Sequence, residues 1–581
     1  MRAPQDEDKG ERQLKIEGRW YQAHFFAAAV APRRCFTPRS LLKTRRQSGT
    51  GCGAPRCVAS QGESDGCDDD RAGVGVWARI GMSVASSIDQ PPLRLGTKLS
   101  YGTGSLAVGV GFYALSGSVL QYYLNQVVRL PALLVGTALA VSLIVDALID
   151  PLVGQWSDNF RSRLGRRHPF MYGAAFLAAV SFYFLWHAPA ALSGNALLAY
   201  MLALLIAVRI SGSLYEIPSN ALMPELAPDY DQRTVLSSFR FFFFVVGAAV
   251  LSILLNNVFL RKDASHPLGL LNRDGYAQFA VVGAAVMFVA VIISCLGTQS
   301  RVAHLHIPPA RPVTLALTWR EIRTTLTNPS LVVLLASGLF GGVAAGMRGG
   351  LDNYFYTHLW MLKPQQIGVL IPLGLLGSVV SVFVAPVLSR RLSKKMTMVT
   401  LFTGSTVTSL TPIALKLAGL MPPDGSPWVM VILGVDAVVV TALAISGFII
   451  IGSMVADVVE DNAVKTGRRA EGLLFATQGL LPKFTTGIGA FLAGALVSAV
   501  RFPSHAIQGA VPAALIRHLA LLFLPGYAVL VALSIVVLIF YRIDRGAHER
   551  NLEQLRETAA LAGATLTSEA EAGVSPLSRT V

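Results

Sequence analysis

From about residue 99 onward the chain alternates long apolar runs with short connections that are polar and basic. Twelve runs reach spanning length, centred near residues 112, 145, 180, 209, 245, 287, 344, 376, 407, 441, 486 and 530. About 20 apolar residues wound as a helix cover the hydrocarbon of a bilayer, so each run predicts a transmembrane helix. In lipid every backbone N–H and C=O must be bonded within its own segment, which a helix achieves. Residues 1–81 break the pattern: they are polar, rich in Arg, Gly and acidic residues, and lack apolar periodicity. They are read as a mis-assigned or disordered N-terminal extension, with Met82 opening an ordinary polar leader to the first span. The connection 298–328, with His304, His306, Pro308, Pro309 and Pro312, divides the runs six and six, and its Trp319–Arg323 stretch has the pattern of a surface-lying helix. The expected architecture is an all-α membrane protein of twelve transmembrane helices in two six-helix bundles, 82–297 and 329–545, around a central cavity, followed by a cytoplasmic tail, 546–581.

Composition agrees with that reading. The chain is 53% hydrophobic and 14% charged, outside the range of ordinary soluble domains. The formal charge of +15 would suggest nucleic acid in a soluble protein. Here the bases sit in short loops: Arg161, Arg163, Arg166 and Arg167 after the second span, Arg390, Arg391, Lys394 and Lys395 after the eighth, Arg542 and Arg545 after the last. That is the positive-inside pattern, so no nucleic-acid partner is expected and both termini are placed in the cytoplasm of a multi-pass protein of the plasma (inner) membrane. Trp186, Trp360 and Trp428 at outer ends and Trp156 at an inner end are read as interfacial anchors. Of the five cysteines, Cys35, Cys52, Cys57 and Cys67 precede the first span and Cys295 lies in the sixth; none has zinc-site spacing.

Few ionisable residues fall inside the spans, and such residues are functional candidates by default. Asp146 and Asp150 lie one helical turn apart on one face of the second span. An ionised carboxylate facing lipid costs several kcal/mol, so the pair must face protein or water beside a compensating cation. Ser213 or backbone carbonyls would complete a shell for sodium; alternatively one carboxyl carries a proton, or the acids only pair with Arg240 or Lys483. In the fourth span Arg209, Ser213 and Glu216 share a face just before Ile217-Pro218. Glu216 either accepts hydrogen bonds from ligand hydroxyls or is neutralised by Arg209. Arg348 and Asp352 in the seventh span are read as an internal ion pair, and Asp436 as standing alone.

The order Gly154-x-x-x-Asp158 followed by Arg163-x-Gly165-Arg166-Arg167 resembles the gating motif of the major facilitator superfamily. Lys98-Leu-Ser-Tyr101-Gly102-x-Gly104, Asp146-Ala-x-x-Asp150-Pro151, Ile217-Pro218, Arg240-Phe241, Met454-Val-Ala456-Asp457, and Gln478 followed by Lys483 narrow it. Together they resemble the melibiose permease branch, the glycoside/pentoside/hexuronide cation symporters, over residues 98–545. The resemblance implies the major facilitator fold, a coupling cation at Asp146 and Asp150, substrate contacts from Glu216, Arg240 and Lys483, with Arg209 and Gln478 beside them, and gating by Asp158, Arg163, Gly165 and Arg166. Three places depart from it. The branch's first-helix aspartate and its neighbouring lysine fall at Gly109 and Val108, its asparagine between the two acids at Ile149, and its sugar-stacking tryptophan at Asn220. The loss at Ile149 removes an oxygen ligand and moves the expectation from sodium toward a proton. The run from Arg163 to Phe170 is also similar to the sucrose/proton symporters.

The function these residues imply is cation-coupled (proton or sodium) symport of a sugar or glycoside by alternating access, in a chain working as a monomer among membrane lipids, without a further cofactor. Two alternatives are a carrier of lysolipids opening beside Phe241 to Phe244, and a membrane sensor that no longer transports. No nucleophile and base arrangement, phosphate loop or metal-ligand cluster suggests an enzyme.

Overall fold

The computed structural model describes residues 93–227, 230–261, 269–301, 328–466 and 479–543, with residues 546, 549–551 and 553–554 beyond. The extension 1–81, the Trp319–Arg323 stretch, Gln478 and nearly all of the tail lie outside the described residues. Within them the structure is helical, with no strand. The twelve helices are α1 Leu95–Ala114, α2 Ala132–Asn159, α3 His168–Trp186, α4 Gly194–Leu226, α5 Tyr230–Ile253, α6 Arg273–Gln299, α7 Pro329–Tyr354, α8 Pro364–Arg391, α9 Lys394–Leu417, α10 Pro427–Thr466, α11 Leu481–Ala499 and α12 Ala513–Ile539. Each expected centre falls in one of them. Eleven are long and apolar enough to cross a membrane unaided, and α1 completes a twelfth span with the π-helical piece Gly117–Val127, bent from it by 46°.

Spans that cross a bilayer in succession must alternate in direction, so the loop after α2, the turn between α8 and α9, and the exit of α12 all lie at one end, called here the basic end. Side chains that face outward, such as Leu148, Phe176, Phe448 and Phe540, are apolar and exposed. That inversion of a soluble surface is what a lipid solvent selects.

The two halves repeat. In the first, α1 packs on α5 and α6, α3 on α4 and α6, and α2 on α4; in the second, α7 packs on α11 and α12, α9 on α10 and α12, and α8 on α10. Between the halves α2 packs on α11, and α8 on α5 in the equivalent way. The register of the repeat is 232 residues. Arg129 and Met361, 232 apart, both take left-handed backbone (φ 68° and 53°) after a π-helical turn. The bond from Leu130 N to Leu124 O (3.0 Å) recurs from Leu362 N to Tyr356 O (2.9 Å). A non-glycine residue rarely adopts φ > 0, so the shared conformation marks an inherited geometry at the same corner.

Tryptophan placement corrects one expectation. Trp156 and Trp428 are exposed, but Trp186 and Trp360 are only 1% and 2% exposed. Trp186 stacks on Tyr276, with ring centroids 5.6 Å apart and planes within 6°. Its area is taken up by α6 rather than by the membrane interface, because aromatic burial in protein offers contacts that lipid headgroups do not.

Candidate functional site

The site begins with a close helix crossing. A Cβ added at Gly494 on α11 would sit 2.4 Å from Ala132 O on α2, so only glycine lets the backbones approach. Farther along the same crossing, Lys483 at the start of α11 reaches α2. Its Nζ lies 2.9 Å from Asp146 Oδ2 and 2.6 Å from Asp150 Oδ2. Ser213 on α4 donates to one carboxylate and lies within bonding distance of both, 2.8 Å from Asp146 Oδ1 and 2.6 Å from Asp150 Oδ1. The expected group of Asp146, Asp150, Ser213 and Lys483 is thus brought together, with both acids buried. Two carboxylates face one ammonium, and that ammonium comes from the other half of the molecule.

Above this cluster lies a cavity of about 580 Å³ lined in part by Ser116, Asp146, Arg209, Ser213, Glu216 and Lys483. That volume suits a small polar molecule. Arg209 donates from Nε to Ser142 Oγ at 3.0 Å, and it makes no ion pair with Glu216 among the described residues. Glu216 likewise has no hydrogen-bond or ion-pair partner among them, and it is exposed to the cavity. The two side chains therefore do not neutralise each other. Phe112 and Phe244, with ring centroids 5.2 Å apart, give the cavity an apolar wall.

Gly109 explains one departure from the family pattern. A Cβ there would lie 2.1 Å from Phe244 O, and one at Gly247 would lie 2.4 Å from Leu106 O. Helices α1 and α5 touch at the position where the resemblance leads one to expect an acid, so no side chain fits.

Arg240 is placed differently from the other expected substrate residues. It is not part of the cavity wall. Its guanidinium is bonded to Ser105 Oγ (Nε, 3.2 Å), Tyr101 OH (Nη1, 3.2 Å) and Asn220 Oδ1, and lies over the Tyr101 ring. Asn220, at the position of the missing tryptophan, is thus a partner of Arg240.

At the basic end lie the expected gating residues. Asp158 pairs with Arg167 (Nη2 to Oδ1, 2.9 Å), while Arg163 is exposed to solvent. Glu225, at the end of α4, holds Arg167 Nη1 at 2.9 Å and also pairs with Arg166. Gly165 turns the loop with φ 90°, and its N donates to Ser162 O at 3.0 Å. Glu225 escaped the sequence reading because it lies 59 residues from Arg166. The repeat itself was the available signal: Asp457, 232 residues after Glu225, takes both 2.7 Å bonds from Lys394 at the start of α9.

Asp436, expected alone, is not. Arg348 Nη2 lies 3.3 Å from Asp436 Oδ2, and Arg348 Nε lies 3.5 Å from Asp352 Oδ1. The expected Arg348–Asp352 pair is present, and α10 adds a second acid to it.

Besides Lys483, the described bonds between the halves gather at the end opposite the basic one. Tyr354 OH donates to Asn125 Oδ1 (2.8 Å), Gln126 Nε2 to Pro503 O (3.1 Å), and Ala506 N to Gln126 Oε1 (2.8 Å).

Comparison with known proteins matches residues 100–545 to a family model described as MFS/sugar transport protein. An uncharacterized symporter of Synechocystis sp. is 26% identical over 81% of this chain and 98% of its own length. The isoprimeverose transporter of Lactiplantibacillus pentosus is 24% identical over 79% of this chain and 91% of its own. Among solved structures, the nucleoside transporter NupG superposes with a TM-score of 0.54 at 13% identity, over 77% of this chain and 99% of that one, a likeness of fold. Up to twelve spans among the described residues, in two repeated halves, a charged cluster joining the halves midway along α2 and a family match over most of the chain place it in the MFS/sugar transport protein family, whose members are transporters of the major facilitator superfamily and not enzymes.

Proposed function

We propose that this chain carries a sugar or glycoside across the membrane together with one monovalent cation, by alternating access. The observation that supports this most directly is the Lys483 ammonium seated between Asp146 and Asp150. It stands where a coupling cation would stand, and it ties α11 to α2 across the two halves. A cation that takes over the carboxylates loosens that tie, so its binding shifts the balance between two arrangements of the halves. Reciprocity then requires that a substrate favouring the same arrangement tighten cation binding equally.

The proton is the ion proposed. Two carboxylates and one hydroxyl fall short of the six or so oxygens a hard metal ion collects, and Ile149 adds none. For the substrate, Glu216 offers an unpaired carboxylate to hydroxyl donors, Arg209 offers donors to ring and hydroxyl oxygens, and the Phe112–Phe244 wall suits the apolar face of a sugar ring. The names of the symporter and isoprimeverose transporter relatives point the same way. With the basic end in the cytoplasm, as the positive-inside rule directs, both termini are cytoplasmic and the end closed by the described bonds is the outer one, in a plasma (inner) membrane protein that works as a monomer.

The test is uptake of labelled sugars, glycosides and uronates into proteoliposomes under an imposed proton gradient or an imposed sodium gradient. Uptake driven by the proton gradient, lost in Asp150→Asn, is expected, and uptake driven only by sodium would correct the ion. Binding of lysolipids alone, indifferent to Glu216→Gln, would replace the sugar reading, and ligand binding without ion-dependent flux would make the chain a sensor.

A further inference from the structure

A second charged cluster lies on the other side of α7 and plays no part in the site above. Ala345, Gly346 and Gly349 of α7 line the central cavity; Arg348 and Asp352 do not. They point into the second bundle, where Arg348 meets Asp436 of α10 and donates from Nη1 to Ser409 of α9. The cluster contains one guanidinium and two carboxylates. Asp436 is only 9% exposed, and its Oδ1 is fully buried without a hydrogen-bond partner among the described residues.

An ionised carboxylate normally saturates both oxygens with donors, and a buried oxygen left bare is costly. The neighbours do not supply the missing charge. From α7 the facing groups are Arg348 and Asp352, followed by Tyr356 one turn on; from α12 it is Tyr527; α9 contributes the neutral Ser409. Helix α8, packed along α10, carries charge only at Arg390 and Arg391, at its basic end. A net charge of −1 in a membrane-embedded bundle calls for one more positive charge. Arg348 already pairs with both acids, and Asp436 Oδ1 is a single bare acceptor where a metal ion would collect several oxygens, so the occupant is a proton rather than a metal ion.

We infer that Arg348, Asp352 and Asp436 form a proton-binding site in the second half, separate from Asp146 and Asp150, with one proton shared between the two carboxyls. Protonation makes an O–H bond at a carboxylate oxygen and leaves a neutral cluster of one cation, one anion and one acid. The site gives the second bundle a proton of its own, so that a proton can be bound without displacing Lys483.

The experiment is infrared spectroscopy of the full chain in lipid nanodiscs at neutral pH, following the C=O stretch of protonated carboxyls and its shift on exchange into D₂O. A band is expected in the parent, lost in Asp436→Asn and in Asp352→Asn, and kept in Asp150→Asn. Each of the first two variants leaves a neutral Arg–Asp pair, and thermal unfolding checks that they fold. A parent spectrum with no protonated-carboxyl band overturns the proposal without reference to any variant. A band lost in Asp150→Asn but kept in Asp436→Asn and Asp352→Asn overturns it too, by moving the proton to the α2 pair.

Discussion

The rings of Tyr122 and Tyr354 meet edge to face, centroids 5.3 Å apart and planes at 67°, and the two tyrosines hold the same position in the two halves of the repeat. Both are fully buried. Their contact marks where the repeat axis passes through the end opposite the basic loops. Around it Asn125, Gln126, His505 and Ala506 close that end with hydrogen bonds.

The same closure depends on Gly117, where the bent first span meets α7. A Cβ there would lie 3.1 Å from Gly350 N. Gly117→Leu is therefore expected to wedge the halves apart at that end. A cysteine placed at Thr357, fully buried in this form, should become reactive toward a membrane-impermeant thiol reagent in the Gly117→Leu background and stay protected without it. Equal protection in both would mean that the leucine is absorbed by local repacking.

Replacing Lys483 tests the tethered-cation reading through stability. Lys483→Met leaves Asp146 and Asp150 without their ammonium, an uncompensated buried pair costing on the order of 3 kcal/mol. The melting temperature should fall at neutral pH, and acidification or added sodium, whichever ion couples, should restore it. A variant as stable as the parent under all conditions would show that the carboxylates have another partner.

Glu216 makes no bond that the fold needs, so Glu216→Gln should leave the melting temperature of the ligand-free protein within about 0.5 kcal/mol of the parent. Loss of a charged acceptor for substrate hydroxyls should weaken substrate affinity at least tenfold, about 1.4 kcal/mol or more. Isothermal titration with the best ligand from the uptake screen measures both wild type and variant.

At the basic end, Glu225→Gln should lower stability by about 1–2 kcal/mol, because Arg166 and Arg167 lose a shared carboxylate. Arg163→Ala, at an exposed position, should fall within about 0.5 kcal/mol of the parent. Denaturant melts in detergent compare the two; the reverse ranking would mean that Arg163 rather than Glu225 holds this end together.

Helix number, order and the mid-membrane acid pair were legible because each rests on local regularities: run length, charge-free stretches, and the i, i+4 spacing of Asp146 and Asp150. The Lys483 partnership is one of the options the sequence leaves open, since an acid pair in a bilayer demands a cation and few are present. What escaped were the pairings between distant segments. Glu225 joined two arginines from the far end of α4, and Asp436 proved to belong to Arg348. Arg240 was also named from its motif, and only packing revealed that Tyr101, Ser105 and Asn220 already bond it.

By itself the sequence determined that the chain spans a membrane many times, in two halves, with carboxylates that require a cation. Bilayer thickness and the cost of unpaired charge in hydrocarbon act on every local stretch, and they leave their mark in composition and periodicity. The tertiary structure alone decided which cation meets which acid, that Glu216 faces the cavity without a partner among the described residues, that α1 and α5 touch at Gly109, and that the described bonds of Asn125 and Gln126 join the halves at the end opposite the basic loops. Those outcomes depend on how close two helix backbones can approach, a property of side-chain volumes on both helices at once, which no single segment carries.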